Sequence, residues 1–265
     1  MTETKDQELT LWQGEVVTSV RIAGEGKPLV FLHGEHGLQW DPLLDSLAKN
    51  HRVYAPLLPG TDGKHPDAVR ALRTLHDLVI CYAEMFEALR LDHAIVAGHG
   101  FGAMLAAEIA AMYPKFVDRL VLIAPFGLWR DDAPVGNYMM DDPPKLVRKT
   151  FADPEGPLAR AAIAQMAGLM SDPDAAAMHL WTTGCTGHYL WPLPDKGLGK
   201  RIHRIQAPSL VLWGKKDGIV PAIYAEEFGK RIKNAKVEVL DGAGHLPHLE
   251  QAEAVIGHVG RFLRG

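Results

Sequence analysis

Cysteine is scarce: Cys81 and Cys185 are the only two in 265 residues. They lie far apart and form no paired framework, which excludes a disulfide scaffold and leads us to expect two free thiols in a reducing cytoplasm. An excess of charge of one sign is also missing. Lys and Arg number 28 against 32 Asp and Glu, for a formal net charge of −4, and the charges are dispersed, so no footprint for nucleic acid or an anionic membrane is present. No apolar run reaches the length of a membrane span. The polar start, Thr2 to Gln7, lacks the basic and apolar regions of a signal peptide. Histidines are many, at 13, but none fall in the short-range spacing of a zinc site. Repeats and low-complexity segments are absent. What remains is globular material, 47% hydrophobic, long enough for one large α/β core with an insertion.

Taken in order, Leu9 to Trp12 and Val16 to Ile22 read as two antiparallel strands joined by a turn at Gly14. Pro28 to Leu32 is a continuous apolar run, the mark of a strand buried on both faces, and it ends in His33, Gly34, Glu35, His36, Gly37. Open α/β sheets place their ligands at such carboxyl ends. Asp41 caps a helix through Leu47, Arg52 to Ala55 gives a strand, and Leu57 to Pro66 is a Gly/Pro-rich loop. Helical spacing of apolar residues from Leu72 to Leu89 predicts a core-facing helix. Further strands follow at Ala94 to Ala97, Arg119 to Ala124, Ser209 to Trp213 and Lys236 to Leu240, with helices over Ala222 to Ile232 and Glu250 to Leu263. From Phe126 to about Arg201 the strand signal disappears, and prolines punctuate short helical stretches. Alternating strands and helices imply a parallel sheet covered on both faces, with this segment inserted over its carboxyl edge.

The stretch from His93 to Tyr113 organises the rest. A buried strand stops at Gly98, His99, Gly100, Phe101, Gly102, and an alanine-rich helix begins at once. Small residues suit a turn that passes close to neighbouring backbone, and a glycine at its centre tolerates dihedrals that strain other residues. Two later loops carry candidate acid–base groups. Asp217 follows Trp213, Gly214, and is read equally well as a turn aspartate; His245 stands in the glycine loop Asp241, Gly242, Ala243, Gly244 after the last strand.

These motifs resemble those of the α/β-hydrolase superfamily, in particular its capped esterases and carbon–carbon bond hydrolases. The strand, turn and helix match the Gly-x-Ser-x-Gly nucleophile elbow, and the order elbow, Asp, His is the hydrolase order. The departure is Gly100, which stands at the nucleophile position either natively or by substitution. The resemblance implies an α/β-hydrolase fold: a mostly parallel central sheet flanked by helices, with residues 1–126 and 202–265 forming the core and 127–201 a helical cap. It implies Asp217 and His245 as the catalytic acid and base, and the backbone N–H groups of Glu35 and Phe101 as the oxyanion hole. The Glu35 side chain itself is expected to be an exposed loop glutamate. A substrate cavity is expected between His36 and His99 below and Met139, Met140, Trp181 and Trp191 of the cap above. Cys185 reads as a small buried hydrophobe rather than a replacement nucleophile.

The function implied is a hydrolase acting on an apolar ester or carbon–carbon bond, deficient in its nucleophile, in which His245 activates water. Its rate would then fall as pH drops through the ordinary histidine range near about 6.5. The alternatives are a pseudo-hydrolase that binds an apolar ligand and a lyase or isomerase with His245 as base. No metal and no cofactor are expected. The expected partner is an apolar small molecule, with neither nucleic acid nor membrane, and a homodimer is left open.

Overall fold

The computed structural model describes residues 2–191 and 195–265. Eight strands form one sheet: β1 Lys5–Leu11, β2 Val16–Ala23, β3 Lys27–Leu32, β4 His51–Pro56, β5 Ala94–His99, β6 Val117–Ile123, β7 Ser209–Gly214 and β8 Ala235–Leu240. Their spatial order is β1-β2-β4-β3-β5-β6-β7-β8, with β1 and β2 antiparallel to their neighbours and the remaining pairs parallel. This is the α/β-hydrolase fold.

The apolar runs are explained by two cores. In the central parallel strands successive side chains point to opposite faces, so Val30, Leu32, Val96, Leu120, Leu122, Val211 and Trp213 enter one core. Leu29, Phe31, Ile95, Ala97, Val121, Ile123, Leu210 and Leu212 enter the other. The first core is covered by α2 (Leu75–Ala88), α3 (Gly100–Met112) and α8 (Ile223–Arg231). The second is covered by α1 (Pro42–Ala48) and α10 (Ala252–Arg264). Helix α3 is buried on all sides, which is why its sequence is alanine-rich rather than amphipathic.

Element ends differ from the sequence expectation where local chemistry intervenes. The helix expected from Leu72 begins at Leu75, because Thr74 and Asp77 form a reciprocal capping box. The closing helix expected from Glu250 is split at Gln251, whose φ of −130° and ψ of 46° are not helical, into α9 (Pro247–Glu250) and α10. Trp12 leaves the first strand for a turn with φ of 55°. Asp41 does cap α1, its Oδ1 accepting from Leu44 N–H at 2.9 Å. The connection from β6 to β7 holds α4 (Pro143–Thr150), α5 (Pro157–Met170), α6 (Pro173–Leu190) and the short α7 (Leu198–Arg201). Cys81 and Cys185 are both free and buried, and burial raises their thiols to about 12 and about 11.

The chain passes from β3 to β4 on one side and then to β5 on the other, so the loops after β3 and β5 diverge at the sheet's switch point, where a crevice forms. Here β5 turns into α3 with almost no space to spare. A Cβ on Gly102 would stand 2.1 Å from the Leu32 carbonyl oxygen and 2.4 Å from that of His33, both backbone atoms that cannot swing aside. Gly102→Ala should therefore lower unfolding free energy by roughly 2–4 kcal/mol. Gly168, inside α5 with nothing within 4 Å of its added Cβ, is the control: Gly168→Ala should stabilise by about 0.5–1 kcal/mol. Denaturant melts of the two variants check the pair, and equal effects would contradict the close-approach argument.

Candidate active site

Three loops at the carboxyl ends of the strands converge. The loop after β7 supplies Asp217, whose Oδ1 accepts from the Ile219 and Val220 N–H groups, both at 2.8 Å, while its Oδ2 lies 2.8 Å from His245 Nδ1. Asp217 thus makes the turn contacts with one oxygen and the histidine contact with the other. The loop after β8 supplies His245, 1% exposed. It is held by its own N–H donating to the Thr150 carbonyl at 2.7 Å, and Glu250 ties the same loop to the end of α4 through the Gly244 and Ala152 N–H groups, both at 2.7 Å.

The loop after β3 corrects an expectation. Glu35 is 3% exposed, not a solvated loop glutamate. Its Oε1 lies 3.1 Å from His245 Nε2, and its Oε2 accepts from the Phe101 N–H at 3.4 Å. That N–H is at the first turn of α3, where the unpaired amides and the helix dipole favour a carboxylate. Gly100 has φ of +52°, and a Cβ built on it would stand 2.3 Å from Glu35 Oε2. The carboxylate therefore fills the space that a side chain at position 100 would enter. The buried order is Asp217, His245, Glu35, Phe101 N–H.

Charge follows from this order. Burial works to lower the His245 imidazole, but Asp217 and then Glu35 outweigh it and raise its pKa to about 10. Burial works to raise Glu35, but the His245 charge and hydrogen bond outweigh that and hold the carboxyl far below the usual carboxylate range. The resting site is thus an imidazolium between two carboxylates, which is not the neutral histidine expected from the sequence.

Burial pushes the histidines around this pair toward the neutral form. The His99 Nε2–H donates to the His245 carbonyl at 2.8 Å, and burial followed by the His245 charge lowers its pKa to about 4. His33 Nε2 accepts from Leu58 N–H at 3.1 Å, leaving Nδ1–H to donate to the Gly34 carbonyl at 2.8 Å. His248 is lowered well below its ordinary value by burial and by His99 and His245. Its Nε2 lies 3.6 Å from Asp41, whose carboxyl burial raises to about 6. Although His99 packs against both His245 and His248, with ring centroids 5.0 and 4.5 Å apart, no three His, Cys, Asp or Glu among the described residues are arranged to hold a metal ion. A cavity of about 110 Å³ reaches Glu35 between the His33–Gln39 loop and α9, with His36, His99, Asp41 and His248 in its wall.

Helix α6 lies over Glu35. Thr186 Oγ1 donates to the Glu35 carbonyl at 2.8 Å, and the half-buried His36 stacks on His179 with centroids 5.7 Å apart. Among the residues expected to line a cavity, Met140 and Trp191 are 79% and 47% exposed and do not join this cluster. Met139 is 44% exposed, with its sulfur against Gly187. The Trp181 indole N–H donates to the Gly60 carbonyl at 2.7 Å, fastening α6 to the loop after β4. Sequence reasoning missed Tyr138, 6% exposed, whose hydroxyl has no hydrogen-bond partner among the described residues and whose ring is edge-on to His36 at 5.7 Å. It missed Phe126 against His245 at 5.7 Å as well. Neither sits in a motif, so only their aromatic character in the β6–β7 connection could have marked them.

A glycine-flanked turn from a central parallel strand into a buried helix, facing an Asp–His pair on the loops after the last two strands, defines the α/β-hydrolase class. Residues 29–258 match the alpha/beta hydrolase family, and the chain belongs to it. One relative is the dihydrolipoyllysine-residue acetyltransferase component of the acetoin cleaving system of Pseudomonas putida, 31% identical over 267 residues, covering 95% of this chain and 67% of that protein. Another is the pimeloyl-acyl-carrier-protein methyl ester esterase of Nitrosomonas europaea, 26% identical over 254 residues, covering 89% and 96%. The solved structure of 2-hydroxy-6-oxo-6-phenylhexa-2,4-dienoate hydrolase from a Rhodococcus strain is similar, with a TM-score of 0.75 at 19% identity, covering 100% of both chains.

The charge pattern fixes a pH dependence of stability. Between about 6.5 and 10 the folded chain keeps a proton on His245 that the unfolded chain has released, so stability present below 6.5 is lost as pH rises. Below about 6.5 the unfolded chain protonates His33, His36, His99 and His248 more readily than the fold does, since burial lowers all four, so these groups remove stability as pH falls. A maximum near pH 6.5–7 is expected, with a decline approaching about 1.4 kcal/mol per unit above it. Denaturant melts from pH 5.5 to about 7.5, a unit or more below the ordinary thiol range of the unfolded chain, test this. In Glu35→Gln the alkaline limb should shorten, and a limb unchanged in Glu35→Gln would contradict the ion pair.

Proposed function

We propose that the chain is a hydrolase of acyl bonds, or of the carbon–carbon bonds next to a carbonyl, in small apolar molecules, working without an elbow serine. The observation that carries this reading is the intact, buried Asp217–His245 pair aimed at the elbow through Nε2. A pocket kept only for binding has no use for a paired acid and base, and burying two charges costs several kcal/mol that apolar packing would avoid. Membership of a hydrolase family and likeness to a methyl ester esterase support the reaction class. Asp217 fixes the His245 tautomer and stabilises its protonated form, so that Nε2–H can donate to a leaving group and, once deprotonated, take a proton from water. The Glu35 N–H across the crevice would face the oxyanion, the Phe101 N–H being taken by the Glu35 carboxylate.

The protonated resting state reverses the pH expectation drawn from sequence. With His245 serving first as an acid, kcat/KM for p-nitrophenyl butyrate should be level through neutral pH and fall on the alkaline side near about 10. His245→Ala should bring turnover to background, and Asp217→Asn should lower kcat by about 10³–10⁴-fold. Full turnover in His245→Ala, with an unchanged circular dichroism spectrum, would end the hydrolase reading for this site.

A further inference from the structure

Position 100 lacks the atom that should react, yet the space is not empty. Glu35 Oε2 stands 2.3 Å from where a Cβ on Gly100 would be, beside the Phe101 N–H, while Oε1 faces His245 Nε2 at 3.1 Å. The imidazole nitrogen is the neighbour that a side-chain oxygen on residue 100 would have, and the amide of the next residue is the donor beside it. Resting on the hydrolase reading, we propose that Glu35 is the nucleophile of this enzyme, its carboxylate supplied by the loop after β3 in place of a side chain on the elbow.

The chemistry balances with the groups present. Glu35 Oε2 forms a bond to the acyl carbon of an ester, the bond from that carbon to the alcohol oxygen breaks, and the leaving oxygen takes the proton from His245 Nε2. The product is an anhydride between Glu35 and the acyl group, with His245 now neutral. His245 then takes a proton from water as the water oxygen bonds to the acyl carbon and the Glu35 carboxylate leaves. The acid and alcohol are released, and the ion pair is restored.

The protonation state agrees with this assignment. A serine hydroxyl needs a neutral histidine to accept its proton, whereas an ionised carboxylate needs no base, and its reaction needs an acid for the leaving group. The imidazolium is that acid. The Phe101 amide holds the carboxylate in place without protonating it. Glycine at 100 suits the same assignment, since a Cβ there would push Oε2 from its place.

Two measurements test the proposal. In Glu35→Gln, kcat for p-nitrophenyl butyrate should fall on the order of 10⁴-fold or more with KM little changed. Glu35→Asp keeps the charge but withdraws the oxygen by one methylene; it should still show a protonated His245 by NMR and yet lose about 10²-fold in kcat. Independently of turnover, 1,2-epoxy-3-(4-nitrophenoxy)propane should esterify Glu35, as its oxygen opens the ring and His245 protonates the released alkoxide. Peptide mapping should find the adduct on Glu35, and Glu35→Gln should remain unlabelled. Glu35→Gln retaining full turnover while His245→Ala is inactive would overturn the nucleophile and leave the hydrolase reading standing. A parent chain that turns over no ester would overturn the hydrolase reading, and the epoxide would then decide Glu35 by itself. Label on His245, or none on Glu35, overturns the assignment.

Discussion

The structure depends on one buried sequence of charges, carboxylate, imidazolium, carboxylate, ending at the amide of a helix N-terminus. Such a row is costly to assemble away from water and holds only if each member is satisfied. Asp217 meets that condition with two backbone N–H groups besides the histidine. Glu35 meets it with the histidine and the Phe101 N–H. His245, between them, uses both ring nitrogens. Removing any member leaves a buried charge without its partner, so the three loops are constrained to one arrangement.

The fold supplies that arrangement through its strand ends. The three loops start from β3, β7 and β8, and β5 runs into α3 between them, so the amide that receives Glu35 is placed by the strand beside the one that delivers it. Contact from above comes from the β6–β7 connection. The Thr150 carbonyl receives the His245 N–H, the Lys149 carbonyl receives that of Gly218, and Thr186 fixes the Glu35 carbonyl. The end of α4 thus braces the acid and base loops, while α6 braces the glutamate loop. All three loops are thus hydrogen-bonded to the same β6–β7 connection.

Much of the fold was legible in the sequence because burial on two faces leaves a plain signal. The runs at Pro28–Leu32, Ala94–Ala97 and Ser209–Trp213 admit no solvated side, and the strands formed there. Asp217 and His245 were legible through their loops, each just past a strand end. Glu35 was legible only as a backbone donor. A glutamate in a polar loop is ordinarily solvated, and its burial depends on a histidine 210 residues away and a glycine 65 residues away. Tyr138 and Phe126 were illegible for the same reason, since their neighbours are set by packing rather than by spacing. The exposed Met140 and Trp191 show the converse, since apolar composition in the β6–β7 connection does not by itself place a side chain at the site.

The absence at position 100 therefore has a structural meaning that a motif comparison misses. Read along the chain, Gly100 is a site without its reactive atom. In three dimensions it is half of a pair: the missing Cβ is the vacancy into which the Glu35 carboxylate fits, and the carboxylate in turn sets the charge of His245. A serine at 100 would have to displace an ionised group from a helix N-terminus and from its imidazolium partner. The residue that looks lost and the residue that looks incidental are one feature, since glycine accepts the left-handed backbone at position 100 and leaves the space that the Glu35 carboxylate fills.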